Sequence, residues 1–133
     1  MEKLKLKHLA GYLPYGIEGL DLLNRKVKVV GLKHASYFID NENKEVYGTI
    51  PNLKIILRPL SDLKKPITIK EITFNPIEYN AFKHDIQSII KFQNGFIHYK
   101  ALKYGIIERL LEWHFDIYGL IEKGLAIDIN TLK

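Results

Sequence analysis

The chain has 133 residues, 47% of them apolar, with a formal net charge of +5 and no cysteine. Those values fit one domain with a real core and argue against disorder. They exclude disulfides, thiolate chemistry and cysteine-based zinc sites.

The charge is uneven. Residues 1–70 hold 13 Lys or Arg against 7 Asp or Glu, a net +6, and residues 71–133 hold 7 against 8, a net −1. A basic half suits a solvated Lys-rich surface, and it also suits contact with nucleic acid or an acidic partner. No apolar run approaches the ~18 residues of a membrane span, and the lysine-studded MEKLKLKHLA has no signal-peptide core. The expected location is the cytoplasm, with no membrane partner.

Lys3 to Tyr12 reads two ways. LKLKHL alternates like a strand, and HLAGYL suits a helical turn. Gly11, Pro14 and Gly16 then mark a loop. Short strands follow at Ile17 to Leu22 and at Lys26 to Leu32, where Lys26 and Lys28 share one face and Val27 and Val29 the other. Ala35 to Asp40 and Glu45 to Ile50 flank Asn41-Glu42-Asn43-Lys44, which predicts a hairpin with a four-residue loop. Leu53 to Arg58 places Leu53, Ile55 and Leu57 on one face and stops at Pro59. Short antiparallel strands of this kind curl into a bent sheet or small barrel, with an SH3-like barrel as the specific form.

Ser61 to Lys65 is a turn. Ile67 to Ile69 and Ile72 to Phe74 flank Lys70-Glu71, a tight hairpin with poor turn chemistry. Asn75-Pro76-Ile77-Glu78 has the N-cap, the proline and the glutamate of a capping box. It predicts a helix to about Phe92 that buries Phe82, Ile86, Ile89 and Ile90 and stops at Asn94-Gly95.

A last helix is predicted over Ala101 to Asp116. Tyr104, Ile107, Leu110, Leu111, His114 and Ile117 recur at steps of three and four, and Ile106 and Trp113 widen the stripe. Gly119 or Gly124 would end it. Ile117 to Lys123 is then a turn or short helix, and Ala126 to Asn130 a docked extended tail. The whole predicts an α+β fold in a single domain over 1–133. An N-terminal antiparallel sheet packs on two C-terminal helices, with a β-rich half at 1–60, a turn and hairpin at 61–75 and a helical half at 76–133.

Three segments carry a resemblance: HLAGYLPYGI, ILRPLSDL (Ile56 to Leu63) and LLEWHFDIYGLIEKGLAIDIN, which includes Trp113 to Asp116. Together, and in this order, they resemble a family of small proteins encoded by prophages and mobile elements of gut anaerobic bacteria. The resemblance covers roughly a third of the chain and leaves out Lys83 to Tyr99. It implies a phage-related role and brings no activity and no site residue.

The residues themselves suggest little catalysis. His8, His34, His84, His98 and His114 show no i, i+4 metal spacing, and Glu112 and His114 point ~200° apart on a helix. His114 reads as a partly buried, hydrogen-bonded side chain. Glu108, Glu112 and Asp116 read as a solvated helix face, or as the magnesium ligands of a nuclease. No phosphate loop, dinucleotide motif or nucleophile elbow occurs. Trp113 reads as a core anchor.

The best basic cluster is Arg25, Lys26, Lys28 and Lys33, with Tyr37 and Tyr47 nearby in sequence order. Cations beside aromatic faces suit single-stranded nucleic acid. A winged-helix reading fails, because the last helix is too apolar and too acidic to read a groove. No catalytic residue, cofactor or metal ligand is expected. The leading expectation is a non-enzymatic binding or accessory protein with a protein partner. A weak, sequence-independent nucleic-acid binder is the alternative, and a metal-dependent nuclease the third reading.

Overall fold

A computed structural model describes residues 4–21, 25–33, 36–41, 44–50 and 53–132, with the backbone course alone at residues 6, 30–33, 36–41 and 44–49. The ambiguous N-terminus contains a short helix, α1 (Leu6–Ala10), followed by a 3-10 turn over Leu13–Tyr15. Strands β1 (Ile17–Leu20), β2 (Lys26–Lys33), β3 (Ser36–Asn41) and β4 (Lys44–Thr49) form an antiparallel meander. Strand β5 (Lys54–Leu57) returns to pair with β1 on its other side. Asn41 pairs with Lys44, so a two-residue link replaces the expected four-residue loop. Positions 42 and 43 of that link, like Leu22, His34 and Ala35, lie outside the described residues.

The sheet order is β4-β3-β2-β1-β5-β8, where β8 (Ala126–Asp128) is the predicted tail, docked parallel to β5. Among the described residues no pairing joins β4 to β8, so the sheet is open rather than closed into a barrel. An extra residue in β2, where Val29 pairs with Ile39 and Gly31 with Phe38, makes a bulge that strengthens the local twist. Gly19 lets β1 approach β5: a Cβ there would lie 2.8 Å from the Lys54 carbonyl. Ile55, Ile56 and Leu57 are all buried, so β5 is covered on both faces and not on one face as its alternation suggests.

A second, two-stranded sheet pairs β6 (Ile67–Ile69) with β7 (Ile72–Phe74), as expected. Its turn places Lys70 at φ 49° and Glu71 at φ 70°, the left-handed pair that a two-residue hairpin requires.

The helix predicted from Pro76 is much shorter. Asn75 does accept a hydrogen bond from the Ile77 amide, but it opens a 3-10 turn over Pro76–Glu78. A second such turn spans Asn80–Phe82, and α2 covers only Ile86–Gln93. Between the two turns Tyr79 is extended, at φ −58° and ψ 128°. That conformation puts its ring edge-on against Trp113 and Phe82, with centroids 5.0 and 5.4 Å apart. Aromatic packing thus overrides the local start signal. The stop signal holds: Gly95 is left-handed, and the Gly95 and Phe96 amides donate to the Phe92 and Lys91 carbonyls.

Helix α3 (Tyr104–Glu112) is also shorter than expected. Ile106, Leu110, Leu111 and Trp113 form its buried stripe, whereas Tyr104 is 76% exposed. It ends at His114, not at Gly119 or Gly124. His114 has φ 61°, its amide donates to the Leu111 carbonyl, and the Phe115 amide donates to the Leu110 carbonyl. This is the closure seen at Gly95, and again at Gly124, where amides 124 and 125 reach carbonyls 121 and 120. Among the described residues, only at His114 does a residue with a Cβ occupy the left-handed position of such a closure, a conformation that costs it ~1–2 kcal/mol.

The buried residues of both halves form one core cluster, running from Leu9, Tyr12 and Ile17 through Leu57 and Phe82 to Phe115 and Leu120. Trp113 is 5% exposed and stands edge-on to Phe74, Tyr79 and Phe82. We expect Trp113→Ala to cost about 3–5 kcal/mol, the usual loss for a large-to-small core change. Guanidinium unfolding should show a clearly lower midpoint, and a midpoint equal to wild type would show that Trp113 does not anchor this core.

Candidate functional site

The segment that follows α3 is tied by polar contacts to distant parts of the chain. The His114 carbonyl accepts from the Arg58 amide, and the Asp116 amide donates to the Arg58 carbonyl, at 2.7 and 2.9 Å. The Tyr12 hydroxyl donates to the Phe115 carbonyl at 2.6 Å and accepts from the Ile117 amide at 3.4 Å. Burial pushes the Tyr12 phenol well above its usual range, with help from the nearby charge of Asp116. A ring nitrogen of His114, Nε2, bonds the Gly16 carbonyl. A carbonyl only accepts, so Nε2 carries the hydrogen.

These contacts wall a cavity of about 270 Å³ between Tyr15, Glu18, Lys28, Arg58, His114 and Ile129. Glu18 and Lys28 face each other in register across β1 and β2. Arg58, just past β5, is half-buried. Its Nε donates to the Trp113 carbonyl at 3.1 Å and its Nη2 to the Thr68 carbonyl at 3.3 Å. Desolvation lowers the Arg58 pKa, and the charge of Asp62 partly opposes that. Among the described residues Arg58 forms no ion pair.

The basic cluster does not form one free patch. Arg25 is tied to Asp21 by a 2.9 Å ion pair and by its amide at 2.8 Å. Lys26 pairs with Glu18 at 3.2 Å. Lys28 is exposed beside the cavity, with no ion pair among the described residues. Lys33 sits at the far end of β2, and its side chain lies outside the described residues, as do those of Tyr37 and Tyr47. The exposed Lys26 and Lys28 alternate with half-buried Val27 and buried Val29, as expected. Three cations against two carboxylates leave a net +1 over Arg25, Lys26 and Lys28.

The acidic helix face is corrected. Arg109 pairs with Glu112 at 2.6 Å, but Asp116 lies beyond α3 and is buried. Its two carboxylate oxygens accept from the Leu120 and Ile121 amides at 2.8 and 2.9 Å and so organise the turn after the helix. The three carboxylates therefore do not share a surface. His8 accepts from the Lys5 amide and His98 from the Lys100 amide. Among the described residues no three His, Asp or Glu side chains stand together as a metal site.

A second concavity, about 570 Å³ and mainly apolar, opens beside Trp113. Ile72, Phe74, Tyr79 and Arg109 line it, and Ile72 is 66% exposed. Sequence reasoning missed Tyr12, Arg58 and Asp62 as polar organisers. All three lie in the segments that carry the family resemblance, which was the only signal for them. Comparison with protein-family models, curated proteins and solved structures found no match for this chain.

Burial raises the Asp116 carboxyl pKa, and bonds from the Ile121, Leu120 and Gly119 amides and the charge of Lys123 lower it by less. The native state therefore keeps this proton to higher pH than the unfolded chain, where a carboxyl titrates near ~3.9. The contribution is fully present below ~3.9 and is lost as pH rises through the raised native value. Urea midpoints across pH, wild type minus Asp116→Asn, should fall with rising pH in that window. A flat difference would contradict it.

The pairing of Arg25 and Lys26 also lowers the expected salt dependence of nucleic-acid contact. Four free cations would give a log–log slope of about −3.6 on duplex DNA, whereas Lys28 and Lys33 alone give about −1.8, a ~12-fold loss from 50 to 200 mM salt. Fluorescence anisotropy should find binding this weak and this shallow. A slope near −3.6 would show that the ion pairs open and the four cations act together.

Proposed function

We propose that this chain is a non-enzymatic binding protein, an accessory component of a phage or mobile element, and that it engages a partner protein at the Trp113 concavity. The observation that carries this reading is the exposed Ile72 beside an aromatic wall, at an open strand edge. Ile72 and Phe74 lie on one face of β7, next to Trp113 and Tyr79. On the other face Thr73 Oγ1 meets Thr68 Oγ1 at 2.8 Å. Ile69 and Ile72 flank the two-residue turn as a hydrogen-bonded pair, so the amides and carbonyls of Thr68 and Thr73 point away from each other. Arg58 covers the Thr68 carbonyl. On the other edge Thr73 faces outward, and among the described residues its backbone bonds nothing. An extended segment of the partner could add to β7 there and lay an apolar side chain against Trp113.

The second reading is sequence-independent nucleic-acid binding by the β-rich half. It is favoured by the shared exposed face of Lys26 and Lys28 and opposed by the ion pairs on Arg25 and Lys26.

A photo-crosslinking amino acid at Ile72, expressed in the native host, should give a discrete protein adduct. The same group at Lys91, exposed on α2, should not. Thr73→Pro should weaken the adduct, because proline removes the outward donor without touching the hairpin ladder, and Thr73→Val should preserve it. No adduct at position 72, or equal adducts at 72 and 91, would refute the docking site.

A further inference from the structure

We propose that the cavity between Arg58, Lys28 and His114 binds a small oxyanion, the phosphoryl or carboxylate group of a small molecule. This inference stands apart from the partner-binding reading, since the cavity shares no lining residue with the Trp113 concavity.

The first argument is the state of Arg58. A charged side chain withdrawn from water is normally paired. Here the guanidinium is half-buried and, among the described residues, forms no ion pair; the charge of Asp62 reaches it, but that carboxylate is engaged by Asn130 and Lys65. Its Nε and Nη2 are held by the Trp113 and Thr68 carbonyls. Those carbonyls fix the plane of the fork, and among the described residues Nη1 has no hydrogen-bond partner. A fork oriented in advance, with spare donors beside an open cavity, is suited to a carboxylate or phosphate.

The second argument is Lys28. It enters the same cavity from β2 and forms no ion pair among the described residues. The one carboxylate in the wall, Glu18, is engaged by Lys26 at 3.2 Å, outside the cavity lining. The lining cations thus outnumber the lining carboxylate, whose charge is already answered by a third cation.

The third argument is His114. The closures at Gly95 and Gly124 share this bond pattern and use glycine, and among the described residues only this one places a side chain at the left-handed position. Backbone held in a disfavoured region gathers at functional sites. The ring stands in the cavity wall and bonds the Gly16 carbonyl, so this part of the wall is tied in place before any ligand arrives. At about 270 Å³ the space suits a small metabolite and not a polymer.

The test follows the His114 ring resonances by NMR during titration with inorganic phosphate and, separately, malonate, each against sodium chloride at matched ionic strength. We expect a saturable shift with at least one of the two oxyanions, and their relative affinity tells phosphoryl from carboxylate. Lys28→Gln, an exposed position that leaves the core intact, should weaken that binding about tenfold, the loss expected of one charge-assisted hydrogen bond. Glu18→Gln should tighten it by removing a like charge. Shifts that match chloride, or that do not saturate by about 10 mM, would overturn the proposal. So would a saturable shift that Lys28→Gln leaves unchanged, because the anion would then lie elsewhere.

Discussion

The left-handed turn at His114 is the constraint on which the rest of the molecule depends. Helix α3 ends there, and the next residues run beside Arg58 in a strand-like bridge instead of continuing into solvent. The backbone amides from Trp113 to Ile117, and the carbonyls of Trp113, His114 and Phe115, are then answered by a distant partner, by the helix end or by a neighbouring residue. Tyr12 serves Phe115 and Ile117, Arg58 serves Trp113, His114 and Asp116, and Gly16 holds the His114 ring. Buried amides and carbonyls that lose such partners cost ~1–3 kcal/mol each, so the arrangement couples the N-terminal loop, the end of β5 and the C-terminal segment. Asp116 extends the coupling by organising the turn that leads to Gly124 and on to β8. Asn130 closes it with a bond to buried Asp62.

That coupling explains why the chain can dock its tail as a parallel strand. Strand β8 lies beside β5, although the helical half separates them in sequence. A parallel partner needs a long crossover, and here the crossover contains α2, α3 and the small hairpin. The tail covers the edge that β5 would otherwise expose.

The two concavities are the two sides of one polar seam. On one side the Trp113 ring packs with Phe74, Tyr79 and Phe82 and leaves Ile72 exposed at its rim. On the other, the Trp113 carbonyl orients Arg58 toward the cavity with Lys28 and His114. A single dipeptide, Trp113-His114, thus presents an apolar wall in one direction and a polar wall in the other. On the proposals made above, the apolar side takes a protein segment and the polar side an anion.

The sequence alone determined what short-range physics controls. Alternation along Lys26 to Val29 predicts which lysines face water, and they do. The paired short runs around residues 70 and 71 and the stop at Asn94-Gly95 are local patterns, and each holds; the Trp113 stripe holds at Ile106, Leu110, Leu111 and Trp113 but not at exposed Tyr104. Where a local signal competed with aromatic packing, packing won: Asn75-Pro76 opens a 3-10 turn because Tyr79 must face Trp113. Asp116 continued a charged helix stripe in the sequence, yet a histidine ended the helix first; histidine enters the left-handed region more readily than most side chains, but glycine is the usual stop signal. The ion pair that quietens Lys26 depends on β1 lying against β2 in one register, whereas that of Arg25 with Asp21 spans only four residues. The cavity at Arg58 depends on three segments distant in sequence meeting at one place. Spacing along a chain carries information over a few residues, whereas these contacts join Gly16, Arg58 and His114, so only the tertiary structure could decide them.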